Sequence, residues 1–198
     1  MGYRTTVLRQ LSIDVSAYHN NYSDQETLEP AVPFVENTPP PPHLIAPLTY
    51  ENLMHGEADG IEVAANWQVA HRWTLSPSYA FEELHMHLAP TSQDTTSIEE
   101  VEGGSPTNSA QLRSRLFLWR GLVWDTSAYF VGRLTDPREP SYTRLDSQLS
   151  WNLRERTSVS FVGQNLVKDR HEEFVDLSGT ARSTLVKRNA YVKFSWQF

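Results

Sequence analysis

Asn189-Ala190-Tyr191-Val192-Lys193-Phe194-Ser195-Trp196-Gln197-Phe198 alternates without a break. Ala190, Val192, Phe194, Trp196 and Phe198 fall on one side, and Asn189, Tyr191, Lys193, Ser195 and Gln197 on the other. Successive side chains of a strand point to opposite faces, so this stretch reads as a strand with one apolar and one polar face, running to Phe198. Working back along the chain, the same period recurs. Leu145, Ser147, Leu149, Trp151 and Leu153 stand opposite Arg144, Asp146, Gln148, Ser150 and Asn152. Trp124, Thr126, Ala128 and Phe130 oppose Asp125, Ser127 and Tyr129; Leu112, Ser114, Leu116 and Leu118 oppose Gln111, Arg113 and Arg115. Further stripes are Leu75, Pro77, Tyr79 and Phe81; Ile61, Val63, Ala65, Trp67 and Val69; and Leu11, Ile13, Val15 and Ala17. Almost nothing reads as a helix.

The connections alternate in length. Short turns are expected near Arg9-Gln10, Ala70-His71-Arg72, Arg120-Gly121 and Arg154-Glu155-Arg156. Long, Pro-, Ser- and acid-rich segments lie between them, at Asp24 to Pro47, Pro90 to Ser109 and Asp169 to Arg182, with a shorter one at Asp136 to Pro140. Short turns at one end and long loops at the other are the pattern of an outer-membrane barrel, on its periplasmic and extracellular sides respectively. A mean hydropathy of −0.49 and an apolar fraction of 39% are compatible with that, because such strands alternate lipid-facing and lumen-facing residues. No apolar run approaches the roughly 20 residues of a spanning helix, which excludes a helical membrane protein.

Charges and tryptophans sort in the same way. Asp14, Glu62, Arg113, Arg115, Asp125, Arg144, Asp146 and Lys193 all fall on the polar face, where a lumen tolerates them. On the lipid face each would cost roughly 2–4 kcal/mol near the midplane. Trp67, Trp119, Trp124, Trp151 and Trp196 sit at strand ends, as an interfacial girdle requires. A soluble β-sandwich predicts the alternation but not the girdle. The net charge of −7 offers no basic footprint for nucleic acid, and the absence of cysteine removes disulfides and thiolate metal sites. Met1-Gly2-Tyr3-Arg4-Thr5-Thr6 has no signal-peptide pattern, so an export signal is expected upstream.

About nine strands are expected, a short one at Gly2 to Leu8 and eight longer ones. An odd antiparallel count leaves the first and last strands parallel, so the chain is expected to be partial, with its missing strands before Met1. The fold class is thus all-β, an antiparallel up-and-down transmembrane β-barrel, and residues 1–198 read as a single partial domain.

Several segments together resemble the C-terminal barrel of TonB-dependent outer-membrane receptors. Gly2-Tyr3-Arg4, Tyr50-Glu51-Asn52 with Gly56 to Glu62, and Ser105-Pro106-Thr107-Asn108 are similar to strand entries of that family. Tyr142-Thr143-Arg144-Leu145-Asp146 is similar to a strand of the family, and Gly163-Gln164-Asn165-Leu166-Val167-Lys168-Asp169-Arg170 to its Asn-Leu segment, although Val167 stands where the family has Phe and His171 near its usual Tyr. The closing Arg188 to Phe198 resembles the strand that the barrel-assembly machinery recognises. The resemblance implies about nine C-terminal strands of a 22-stranded type of barrel with an N-terminal plug. It also implies residence in the Gram-negative outer membrane and uptake of a scarce nutrient, such as a ferric siderophore or cobalamin, energised by TonB through the plug. This chain carries neither the plug nor the TonB-contacting segment, so transport by it alone is not expected. A plug-less porin-like or structural barrel, and a soluble all-β binding module, are the alternatives.

No residue is assigned to catalysis, to a cofactor or to a metal, and the ligand-binding residues are open. The chain has no G-x-S-x-G, H-E-x-x-H or Gly-rich phosphate loop, and no enzymatic activity is expected. His85-Met86-His87 places two histidines on one face of a strand, but without a third ligand they read as an extracellular strand extension. The acid-rich Asp94 to Glu102 lacks calcium-loop spacing and reads as a solvated loop. Arg113, Arg115, Arg133 and Arg144 could meet an anionic ligand; pairing with acids such as Asp125 and Asp146 is the simpler expectation. Phe34 to His43, with its proline run, could contact a ligand or a phage, or be plain loop.

Overall fold

A computed structural model describes residues 1–154, 156–172 and 185–197. Phe198, Glu155 and most of the connection expected from Asp169 to Arg182 lie outside the described residues. Strands dominate: β1 (Gly2–Leu8), β2 (Leu11–Pro30), β3 (Phe34–Glu36), β4 (His43–Ile45), β5 (Leu48–Ala70) and β6 (Trp73–Leu88) precede one short helix, α1 (Ser97–Gly103). Then follow β7 (Asn108–Trp119), β8 (Leu122–Val131), β9 (Tyr142–Arg154), β10 (Thr157–Gln164), β11 (Arg170–Glu172), β12 (Leu185–Lys187) and β13 (Asn189–Trp196).

Nine of these strands form one antiparallel sheet in the order β1-β2-β5-β6-β7-β8-β9-β10-β13. The two short pairs, β3 with β4 and β11 with β12, stand apart from it. Each main strand pairs with the next main strand in sequence, the meander expected of an up-and-down wall. Among the described residues β1 and β13 do not pair, so the wall is open.

Register fixes which side chains share a face, because directly opposed residues of an antiparallel pair point the same way. Arg4, Asp14, Ala64, Ser78, Gln111, Tyr129 and Arg144 follow one another across seven strands. Asp125 continues through Gln148 and Val162 to Tyr191, and Lys193 lies opposite Ser160 on that same face. The other face runs Trp124, Leu149, Phe161, Val192. The segregation of charge read from the sequence therefore holds from edge to edge.

The apolar face is bare. Val192, Phe194 and Trp196 are 61%, 66% and 65% exposed. Among the described residues the buried apolar side chains are Met54, Ala58, Met86 and Val162, all on the charged side of the sheet. A soluble sandwich would bury its aromatic stripe, so the exposed one is the surface of a protein that meets hydrocarbon.

The two ends differ. All six tryptophans lie beside the short turns: Trp67 and Trp73 flank His71-Arg72, Trp119 and Trp124 flank Arg120-Gly121, and Trp151 and Trp196 lie near Arg156. A register shift between Phe117 and Trp119 brings Trp119 opposite Leu122, into the row of the lipid-facing Trp151. Two of the indoles also bond small hydroxyls on the same face: Trp73 Nε1 donates to Ser114 Oγ at 3.0 Å and Trp124 Nε1 to Ser147 Oγ at 2.8 Å.

At the other end β2, β5 and β6 reach 20, 23 and 16 residues, against the roughly 9–11 needed to span. Much of the loop expected from Asp24 to Pro47 is therefore strand, with β2 continuing to Pro30 and β5 beginning at Leu48. Irregular pairing between Tyr22 and Gln25 and again between Gln25 and Thr27 breaks the period-two pattern there, which hides the extension from a sequence reading.

Candidate functional site

The lumen face is lined by side chains that pair across strands. Arg4 Nε donates to Asp14 Oδ2 at 2.6 Å, and Arg115 Nε to Asp125 Oδ1 at 2.8 Å. Arg144 Nε and Nη2 reach Asp146 Oδ1 and Oδ2 at 3.0 and 2.8 Å, a bidentate pair two residues apart on β9. Arg115 and Arg144 are thus taken by acids, as the sequence suggested. Arg113, on the same face, makes no hydrogen bond or ion pair among the described residues, and Arg133 lies in the connection after β8.

The same Asp146 also accepts the Asn165 amide at 2.9 Å, while Asn165 Nδ2 donates to the Val186 carbonyl at 3.0 Å. Asn165 is fully buried, and its φ of 53° lies in the left-handed region that Asn tolerates better than most residues. It ends β10 and ties the following connection back to β9, a physical role for the Asn-Leu pair noted in the sequence.

The extracellular mouth is organised by two carboxylates. Glu29, near the end of β2, accepts Ser92 Oγ at 2.6 Å and the Gln93 amide at 2.7 Å. In return Asp94 of the β6–β7 connection accepts the Leu28 amide of β2 at 2.6 Å. Asp94 Oδ1 also takes the Thr96 and Ser97 amides at 2.8 and 3.0 Å, and Ser97 Oγ donates to Oδ2. Farther along, Glu102 Oε1 accepts the Met86 amide of β6 at 2.6 Å. The segment from Asp94 to Glu102 therefore carries most of α1, folded against β6 and β2, and is not a solvated loop. Burial favours the neutral acid at Asp94, which is 6% exposed, but its hydrogen bonds from Ser97, Thr96 and Leu28 outweigh burial and hold its pKa well below the carboxylate range. Glu29 is also lowered, by Ser92 first and then by the Gln93 amide.

The sequence carried one signal for this helix: Thr96 and Glu99 have capping-box spacing. In the structure the cap bonds come from Asp94 instead, since Thr96 makes no side-chain cap bond. Nothing in the sequence marked Glu29.

His85 and His87 point outward from β6, opposite Glu57 and His55 of β5. The His55 and His87 rings lie 5.8 Å apart and tilted, and His85 sits 3.9 Å from Glu83. Among the described residues no group of three or more His, Cys, Asp or Glu side chains is placed to hold a metal ion. The Phe34 to His43 segment is the small β3–β4 hairpin, closed by His43 Nε2 and Glu36 at 3.1 Å, with Phe34, Val35 and Leu44 exposed.

An open antiparallel wall with an apolar outside, a charged inside and long ordered loops at one end meets its match in one family model. The description "TonB dependent receptor-like, beta-barrel" fits residues 2–166. The chain belongs to the TonB-dependent receptor family. Its place is the outer membrane of Gram-negative bacteria. Its wall resembles several solved members. Against the siderophore receptor PiuA from Acinetobacter baumannii the TM-score is 0.69 at 16% identity, over 94% of this chain and 26% of that one. For the copper transporter OprC the values are 0.68 and 11%, over 100% and 31%. For the ferric yersiniabactin uptake receptor FyuA from Yersinia pestis they are 0.60 and 15%, over 100% and 36%. The chain thus spans about a quarter to a third of the length of these TonB-dependent receptors. No curated protein matches it.

Proposed function

We propose that this chain is wall in an energised importer of a scarce nutrient, such as a ferric siderophore, cobalamin or a similar compound. It works joined to further strands and a plug on which TonB acts, and it does not transport alone. The barrel-assembly machinery takes hold of its C-terminal strand. The observation that carries the reading is the coexistence of a bare apolar outer face with a charged inner face capped by ordered loops. Such a wall needs lipid outside and a polar occupant or passage inside. The likeness to PiuA, a siderophore receptor, FyuA, a ferric yersiniabactin receptor, and OprC, a copper transporter, supports a metal or metal-chelate cargo in particular.

The test is uptake of radiolabelled ferric siderophores and cobalamin by cells with and without the gene, each with and without a proton-motive-force uncoupler. Gene-dependent, uncoupler-sensitive uptake is expected. Gene-dependent uptake that ignores the uncoupler would replace this reading with a plug-less porin.

A further inference from the structure

Where the β6–β7 and β8–β9 connections meet at the extracellular mouth, they form an open cleft of about 630 Å³ lined by Glu99, Glu102, Arg133, Asp136, Arg138 and Glu139. Backbone bonds hold its walls together. The Thr135 and Asp136 amides both donate to the Gly103 carbonyl, at 3.2 and 3.3 Å, and the Leu134 amide donates to the Glu139 carbonyl at 2.9 Å. The approach at Gly103 is close enough that a Cβ there would lie 2.6 Å from the Asp136 nitrogen. Through Asp94 and Glu102 the α1 wall is in turn fixed to β2 and β6.

The charges in the cleft divide into spent and unspent. Glu102 is taken by the Met86 amide, and Glu139 has a partner of its own. Arg133 and Arg138 make no hydrogen bond or ion pair among the described residues, and neither do the Glu99 and Asp136 carboxylates. Two guanidiniums and two carboxylates thus face one cleft without closing on each other. Arg115 and Arg144 of the same chain do close on acids within 3.0 Å. A guanidinium presents a planar fork suited to an oxyanion, and a carboxylate accepts from an ammonium. A concave site with a few convergent polar groups is the usual form of a small-molecule site.

We propose that this cleft is a subsite for a small zwitterion, with its oxyanion on Arg133 and Arg138 and its cationic group on Glu99 and Asp136. The proposal rests on the importer reading and narrows its cargo to molecules that carry both charges.

The probes are the dipeptide lysylglutamate, the anion tricarballylate and the cation putrescine, each titrated calorimetrically into the whole receptor, with its further strands and plug, purified from outer membranes in detergent. Lysylglutamate is expected to bind about tenfold tighter than either probe, each of which carries charge of one sign only. The double variant Arg133→Gln/Arg138→Gln and the variant Glu99→Gln should each weaken it by about tenfold. Gly103→Ala, which moves the walls, should weaken it too, whereas Arg113→Gln should not. Retention of heat-modifiable migration in SDS shows that each variant is folded. No binding of lysylglutamate, unchanged affinity in the arginine double variant, or equal affinity for tricarballylate would each overturn the proposal. Binding in detergent needs no energy source, so intact binding with uncoupler-insensitive uptake would remove the importer reading and leave the cleft.

Discussion

The Tyr18 hydroxyl donates to Glu82 Oε2 at 2.7 Å although the two residues belong to strands that do not touch, β2 and β6. Gly60 of β5 lies between them, opposite both. A Cβ at residue 60 would lie 2.1 Å from Tyr18 Cζ, so the ring crosses the sheet only because glycine leaves it room. Gly60→Val is expected to displace Tyr18 and lower stability by roughly 1–3 kcal/mol. Tyr18→Phe should cost only about 1 kcal/mol, the hydrogen bond alone. Urea unfolding midpoints in detergent compare the two; a Gly60→Val variant as stable as Tyr18→Phe would show that the ring is not held there.

Facing can be tested at adjacent positions of one strand. Val192 is 61% exposed on the lipid side, and Lys193 lies opposite Ser160 on the lumen side. Val192→Arg should impair membrane assembly, at a cost of roughly 2–4 kcal/mol near the midplane, and Lys193→Gln should be tolerated. The fraction of chain reaching the heat-modifiable folded form measures both. Equal effects would contradict the register.

Asp94 joins the β6–β7 connection to β2 by accepting the Leu28 amide, and it holds the start of α1 by accepting from Thr96 and Ser97. Asp94→Ala leaves those donors without their acceptor and should cost roughly 2–4 kcal/mol locally. The loss should appear as protease cleavage between Ala89 and Ser105 and as faster exchange of the Leu28 amide. The strand amides of β8 and β9 should be unaffected, and protection there should match the parent chain.

The same closure has a pH dependence. The carboxyls of Asp94 and Glu29 are both lowered in the folded state, so each stabilises the closed loop at pH values above its ordinary range. That stabilisation is lost as pH falls below about 4 and onward through the lowered folded values. Cleavage of the loop by an acid-tolerant protease should therefore be flat from pH 7 to about pH 5 and rise only in stronger acid. A rise already at pH 6 would mean that another group, such as a histidine, governs the loop.

Most of the wall was legible because lipid and lumen impose opposite demands on alternate residues. Asp125 beside Trp124, or Lys193 beside Val192, admits only one facing, and the strand count follows once the facings are set. The mouth was not legible for two reasons. In β2 the irregular pairing at Tyr22 to Thr27 removes the alternation that would have marked strand. In the segment from Asp94 to Glu102 two of the acids, Asp94 and Glu102, are spent on particular amides, Leu28 and Met86, that are distant in sequence. A row of carboxylates looks the same in a sequence whether water or a backbone N–H receives it. Arg133 illustrates the same limit: by residue type it is indistinguishable from Arg113, Arg115 and Arg144, and only the fold separates a mouth arginine from wall arginines.

The unequal ends of the sheet also set how deep it sits. Below, six indoles hug the short turns; above, His19 with Asp59 at 2.8 Å, and Glu83 opposite Asp59, close the apolar stripe on the outer face. Moving the wall outward by one residue, about 3.3 Å, would draw the indole N–H groups from the interface into hydrocarbon. Moving it inward by the same step would press that ionisable row into acyl chains. Both displacements run uphill, so the protein is centred by two chemically different stops, an aromatic floor and a charged ceiling, and the bilayer thickness it prefers is written between Trp67 and Asp59.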